Sequence, residues 1–251
     1  MVTAAFAASG FLVPLVPAAT ASATPEAPER PIVAPSRAEG ATVARIVTPL
    51  RARRRLDRPR GTRPISVETS WSGQPTTLLV LAAKTYKERE WVDLLLPERP
   101  NGSAVWVPAE HVILSHTPYW VEVSTGHRTV RVYRNGRLAR RFRAVVGKAS
   151  TPTPHGLAAI YERDRQPDPH AFVGTWVLAL TIESDVLKHF EGGTGRIGIH
   201  GRAGASLLDP LGSARSHGCI RIGNGPVDWM AAHVPVGTPV EITGWRPAPR
   251  R

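Results

Sequence analysis

The chain holds a single cysteine, Cys219, inside the run Ser216-His217-Gly218-Cys219-Ile220-Arg221, and a second short run, Ile199-His200-Gly201, lies upstream. A free thiol with an ordinary pKa of ~8.5 is mostly protonated at neutral pH, so a nucleophilic cysteine needs a base or a positive neighbour. His200 and His217 are the candidate bases. His217 stands two residues from the sulfur in a loop too tight to let either group adjust, whereas His200 arrives from a separate strand. His200 is therefore the expected base. Gly218 permits a sharp turn before the nucleophile, which would let the N–H groups of Gly218 and Cys219 converge on one point as an oxyanion hole. Losing one such donor typically costs ~3 kcal/mol of barrier.

The same residues have plainer uses. A cysteine between Gly218 and Ile220 can be a small buried hydrophobe, and a histidine often makes only a structural hydrogen bond. Two histidines, two glycines and the only cysteine within about twenty residues weigh toward catalysis. Zinc would need three or four ligands at a recognised spacing; there is no second cysteine and no His-Glu-x-x-His, so no metal is expected.

The elements that must position these groups are short strands. Ile65–Thr69, Thr76–Lys84, Glu90–Leu96 and Ala104–Val107 are β-prone runs divided by Ser72-Gly73, Lys87-Glu88 and Pro100-Asn101-Gly102, a spacing that predicts a small antiparallel barrel over 64–116. A second series begins near Tyr119. Arg128–Tyr133 and Leu138–Val146 flank Asn135-Gly136, the preferred pair for a hairpin whose two central residues need positive φ. Thr151-Pro152-Thr153-Pro154 bars regular ladder bonds and reads as a rigid loop bordering a cleft. Helical periodicity first appears at Asn224, the expected N-cap, with Pro226 and Asp228 in the first turn. The fold class is therefore mainly β.

Composition constrains where this chemistry operates. The 251 residues carry 32 basic and 20 acidic side chains, a net +12, which suits a polyanionic partner. Seven arginines against Asp57 in Arg51–Arg63 supply half of that excess. They read equally as a tether to anionic wall polymers or as a solvated linker. No zinc-finger spacing or aromatic-basic strand motif supports nucleic acid as the partner. Residues 1–23 read as a secretory signal: Ala4–Val16 is apolar and uncharged, and Ala21-Ser22-Ala23 offers a small-x-small cleavage site, although Met1-Val2-Thr3 lacks the usual positive charge. Pro14, Pro17 and the short apolar run argue against a membrane span. Residues 24–63, rich in Pro, Ala, Glu and Arg, read as a linker, and 246–251 as a tail.

With fifteen residues, 201–215, between His200 and Ser216, the pairing of Ile199-His200-Gly201 with Ser216-His217-Gly218-Cys219-Ile220-Arg221 resembles the signature of the L,D-transpeptidase catalytic domain, the YkuD type. The Thr151–Pro154 loop and His233–Val240 are also similar to that family, so the resemblance runs from about Tyr119 to Thr243 within a domain placed at 117–245. It implies a β-sandwich-like fold with the cysteine in a cleft. It also implies Cys219 as nucleophile, His200 as base, the Gly201 carbonyl as the group that fixes the imidazole tautomer, and 217–219 as oxyanion donors. Ser216 and Arg221 match positions that line the site.

By the same resemblance the substrate is a peptidoglycan stem, attacked at its third residue to give a Cys219 thioester that a neighbouring stem amine resolves, in an extracytoplasmic setting and without cofactor. A carbapenem would then acylate Cys219. Leu94–Leu114 resembles the Src-homology-3-like modules found beside wall enzymes, which implies either a positioning module or a packing partner. Two other functions stay open at this point: a hydrolase that trims stems on the same site, and a non-catalytic wall polyanion binder.

Overall fold

The structure, a computed structural model, describes residues 32–58, 63–190 and 192–244. The signal segment expected at 1–23 and the tail at 246–251 lie outside those residues. Among the described residues no helix is long and apolar enough to cross a membrane.

The N-terminal half forms β1 (Ala41–Ile46), β2 (Leu50–Ala52), β3 (Arg63–Ile65), β4 (Thr77–Tyr86), β5 (Arg89–Leu95), β6 (Ala104–Pro108) and β7 (Val112–Thr117). Five of these make an antiparallel sheet in the order β6-β5-β4-β1-β7, and β2 and β3 pair as a separate ribbon. The turn joining β4 to β5 uses Lys87 and Glu88, both at positive φ, which matches the right-handed twist of the two strands. The sheet is open: its edges, β6 and β7, are not paired with each other.

Two expectations are corrected here. Residues 24–63 are not linker throughout, because β1 lies inside that range and is a central strand. Ala41, Val43, Ala44 and Ile46 are buried while Arg45 points out, so residues of both faces are covered, no clean period-2 alternation results, and two of the four buried side chains are alanines that do not stand out in an Ala- and Arg-rich stretch. The strand expected at Ile65–Thr69 ends at Ile65, and 69–74 turn instead toward the second half of the chain. The described residues of the Arg51–Arg63 stretch, 51–58 and 63, are also more engaged than a solvated linker. Arg53 lies over the Trp91 ring, Arg55 pairs with Asp57, and Arg63 pairs with Glu98.

The C-terminal half contains β8 (Tyr119–Ser124), β9 (Thr129–Arg134), β10 (Arg137–Arg143), β11 (Val146–Gly147), β12 (Gly156–Arg165), β13 (Trp176–Glu183), β14 (Arg196–His200), β15 (Ala214–Ser216), β16 (Ile220–Arg221), the helix α1 (Asn224–His233) and β17 (Pro239–Thr243). Eight strands form one mixed sheet in the order β10-β9-β8-β17-β12-β13-β14-β16. Asn135 and Gly136 both take positive φ in the β9–β10 turn, as their types require. A single apolar cluster joins Val130 and Val132 of β9 to Ile220 of β16, the opposite edge, and to Val227 and Met230 of α1. Strands so far apart in the order share one core only because the sheet curls on itself. The helix begins one residue earlier than expected: Gly223 is its cap and Asn224 its first residue, which releases the Asn224 side chain for another contact described below.

The two halves are packed together. Leu79 and Leu95 of the first sheet bury against Ala159 of β12, and Tyr161 of the same strand enters the core of the N-terminal sheet. Arg99 donates to the carboxylate of Glu183 and to the carbonyls of Ser184 and Leu187, while Asn101 donates to the Glu183 carbonyl. Leu79→Ala should therefore lower stability by about 2–5 kcal/mol through the cavity it leaves. Urea unfolding followed separately by fluorescence and circular dichroism should show one coincident transition, shifted as a whole. Two separated transitions in the parent chain would mean that the halves fold independently.

Candidate active site

His200 ends β14, and Cys219 immediately precedes β16. The two strands are parallel neighbours, with Ile199 beside Ile220 and His200 beside Arg221. Side chains alternate along a strand, so Ile199 and Ile220 turn into the core while His200, Arg221 and Cys219 share the opposite face. That face is the floor of a cleft of about 1070 Å³ whose walls include Cys219, His200, His217 and Arg221. The sulfur is half-buried, and the thiol donates a long hydrogen bond, 4.0 Å, to the Arg196 carbonyl.

The imidazole of His200 is buried. Its Nδ1 lies 2.8 Å from the Gly201 carbonyl oxygen, and since a carbonyl can only accept, Nδ1 carries the proton and Nε2 the lone pair. Burial pushes the pKa down from 6.5 to about 4; the Gly201 carbonyl opposes that shift, the Arg221 charge adds to it, and the Val173 carbonyl again opposes it. At neutral pH the ring is therefore an uncharged base. A Cβ at Gly201 would come within 2.1 Å of Asn224 Oδ1 and would displace that side chain. That oxygen, freed by the position of Asn224 inside the helix, accepts the Arg202 N–H at 2.9 Å and ties the His200 turn to α1.

The loop carrying the nucleophile is held from behind. Ser216 Oγ donates to the Cys219 carbonyl at 2.6 Å and accepts the Gly218 N–H at 3.1 Å. Thr151 Oγ1 donates to the Ser216 carbonyl at 3.2 Å and Thr153 Oγ1 to the Gly218 carbonyl at 2.7 Å. Gly218 sits at φ +122°, and a Cβ there would meet Ile197 Cδ1 at 2.9 Å, so the loop tolerates only glycine at this point. Two expectations change. The Thr151–Pro154 loop buttresses 216–219 from behind instead of lining the cleft. The Gly218 N–H is committed to Ser216 Oγ, so the pair of converging donors expected from Gly218 and Cys219 does not form. Ser216 is buried and acts on the loop, not on the cleft.

His217 is exposed, packs at a 32° tilt against Phe190 with ring centres 5.5 Å apart, and places Nε2 3.5 Å from Lys148 Nζ. Arg221 is buried, pairs with Asp209 at 2.7 Å, and lies 4.7 Å from the centre of the Phe172 ring. Asp209, Phe172, Phe190 and Trp71 were not legible as site residues, since each lies outside the signature runs and reaches the cleft only through the folded chain. The Thr-Pro-Thr-Pro run was the one available signal for the buttress. Trp176 lines the cleft, Tyr161 lies in the core of the N-terminal sheet, and Arg202 turns away to cap the carbonyls of Ser206 and Leu207. No cluster of three or more metal-ligating side chains occurs among the described residues.

The depressed pKa of His200 has a stability consequence. In the unfolded chain the imidazole takes up a proton near pH 6.5, while the folded chain resists until about pH 4. Between those values the unfolded state binds more protons, so stability is full above 6.5 and falls as pH drops, by up to ~3 kcal/mol for this group. Urea titrations from pH 7 to pH 4 should show a steeper loss in the parent chain than in His200→Gln. Parallel curves would remove this account of the buried ring.

Residues 118–242 match the sequence model of the YkuD family, described as the L,D-transpeptidase catalytic domain. Two curated proteins bearing the name L,D-transpeptidase YkuD are similar. One, from Bacillus licheniformis, is 38% identical over 126 residues, and the other, from Bacillus subtilis, is 34% identical over 125. In both cases the match spans 50% of this chain and 66% of the relative. Among solved structures, an L,D-transpeptidase from Mycobacterium smegmatis aligns over 67% of this chain and 90% of its own, at 16% identity and a TM-score of 0.39. On the strength of the sequence match, residues 118–242 belong to the L,D-transpeptidase catalytic domain family.

Proposed function

We propose that the chain is a peptidoglycan L,D-transpeptidase that links third residues of peptide stems through a thioester on Cys219. The observation that carries the reading is the parallel β14–β16 pair, which sets a neutral, tautomer-fixed imidazole and the only thiol on one face of a cleft. His200 Nε2 takes the thiol proton as sulfur adds to the carbonyl of the third stem residue. The tetrahedral adduct collapses, the C–N bond to the terminal D-Ala breaks, and the leaving amine receives that proton. An amine from a second stem then attacks the thioester, its proton passes to His200, and the thiol is restored. Atoms balance across the two halves, and no cofactor enters.

Within this reading Gly201 fixes the ring, Ser216 and Gly218 shape the loop, and Arg221, paired with Asp209, forms one wall of the cleft. His217 stands exposed at the rim beside Phe190, where an incoming stem would pass. The work is extracytoplasmic, because the stems are. Arg51–Arg63 serves at most as an auxiliary contact to anionic wall polymer, as part of it already pairs with acidic groups.

Incubating the protein with disaccharide tetrapeptide should give cross-linked dimers by mass spectrometry; tripeptide monomers alone would mean that water is the acceptor and the enzyme trims. Cys219→Ala should abolish product, and His200→Ala should lower the rate by about 10²–10⁴. A carbapenem should add its mass to the parent protein and not to Cys219→Ala; an adduct that persists in the variant would refute Cys219 as the acylated residue. Because kcat/KM reports the free enzyme, its acid limb should lie well below pH 6.5, where the His200 ring takes its proton. An acid limb at pH 6.5 would point to a different base.

A further inference from the structure

The cleft has a far wall that the catalytic domain does not supply. Its floor is a row of facing residues across four strands. Cys219, one residue before Ile220, comes beside Gly198, which faces Ala179, which faces Glu162. Gly198 and Ala179 are small, so the floor between the sulfur and β12 is a trough. Three inter-strand steps of ~4.8 Å make it ~14 Å long.

At its far end, a turn of the N-terminal half lies over the row. The Trp71 and Ser72 N–H groups each donate to Glu162 Oε1 at 3.4 Å, and Ser72 Oγ donates to the same oxygen at 3.2 Å. Gln74 Nε2 donates to the Arg163 carbonyl at 2.9 Å and to Asp164 Oδ1 at 3.2 Å. Glu162 is fully buried beneath this turn. The turn presents the Trp71 indole to the cleft. It is 55% exposed, it borders Gly193, and the Arg196 guanidinium stands 5.7 Å from the ring centre. A large aromatic surface fastened in place by buried polar contacts, yet left open on a cleft wall, is a preformed platform for a ligand.

Length identifies what reaches it. Three extended residues span about 10 Å, so when the carbonyl of the third stem residue sits at Cys219, the junction between stem and amino sugar falls within reach of the trough's far end. Resting on the transpeptidase reading above, we propose that Trp71 is a substrate-binding residue that stacks on the amino-sugar end of the donor stem. The N-terminal half thereby makes the enzyme select glycan-linked stems over free stem peptides. The ligand class is an N-acylated amino sugar carrying a peptide, whose apolar ring face suits an indole.

The test compares KM for disaccharide tetrapeptide and for free tetrapeptide, using the full chain and its Trp71→Ala and Trp71→Phe variants. The parent chain should favour the glycan-linked substrate by about tenfold, the scale of losing one aromatic anchor. Trp71→Ala should bring the ratio close to one, and Trp71→Phe should recover part of it. No preference in the parent, or a preference that survives in Trp71→Ala, overturns the proposal. Binding of both ligands to Cys219→Ala and to Cys219→Ala/Trp71→Ala, measured by calorimetry, asks the same question without turnover. Selective binding with no turnover by the parent would sink the transpeptidase reading and leave the platform standing; equal affinities for the two ligands would sink the platform whatever the chemistry.

Discussion

The site depends on one short pairing: two residues of β14 beside two residues of β16, running parallel. Because side chains alternate, a register in which Ile199 meets Ile220 sends both isoleucines into the core and leaves His200, Arg221 and Cys219 on the cleft face. A slip by one residue would bury the thiol and expose an isoleucine. The apolar core therefore fixes the catalytic geometry, since the free energy of burying Ile199, Ile220 and Ile222 opposes any other register. Parallel strands need a long crossover, and here it is 201–219, which carries the Asp209 partner of Arg221 and the whole nucleophile loop.

Burial also sets the state of the base. An imidazole held in the interior by a carbonyl on Nδ1 stays neutral at physiological pH, so the proposed transfer of the thiol proton during attack requires no preformed ion pair. The arginine beside it works in the same direction. Hydroxyls, not charges, hold the nucleophile loop: Ser216, Thr151 and Thr153 satisfy or borrow its backbone groups from the side away from the cleft. That arrangement keeps the cleft face of the loop clear for a substrate while its position is determined from behind.

The N-terminal half is packed firmly against the strands that carry the site. Its contacts fall on β12 and on the carbonyls that follow β13, the elements that form the far side of the cleft floor. Tyr161 shows how the two halves are joined: it belongs to a catalytic strand, sits at a bulge where the β12–β13 register shifts, and buries its ring in the other sheet's core.

The sequence by itself determined the family of residues 118–242, the class of the fold and the hairpin turn. A lone cysteine in His-Gly-Cys-Ile-Arg, an Ile-His-Gly upstream and the Asn135-Gly136 hairpin are local signals, each decided by a side chain or by a backbone angle that few residues adopt. The strand β1 escaped notice because both of its faces are partly covered, so its buried Ala41, Val43, Ala44 and Ile46 do not alternate with polar residues. Commitment of the Gly218 N–H to Ser216, the Asp209 partner of Arg221, the threonine buttress and the place of Trp71 were decided only by the tertiary structure. The Gly218–Ser216 bond is local and follows from the shape of its loop; the others join residues separated in the chain, and such meetings follow from sheet curl and register, which are properties of the whole core and are written in no single stretch of residues.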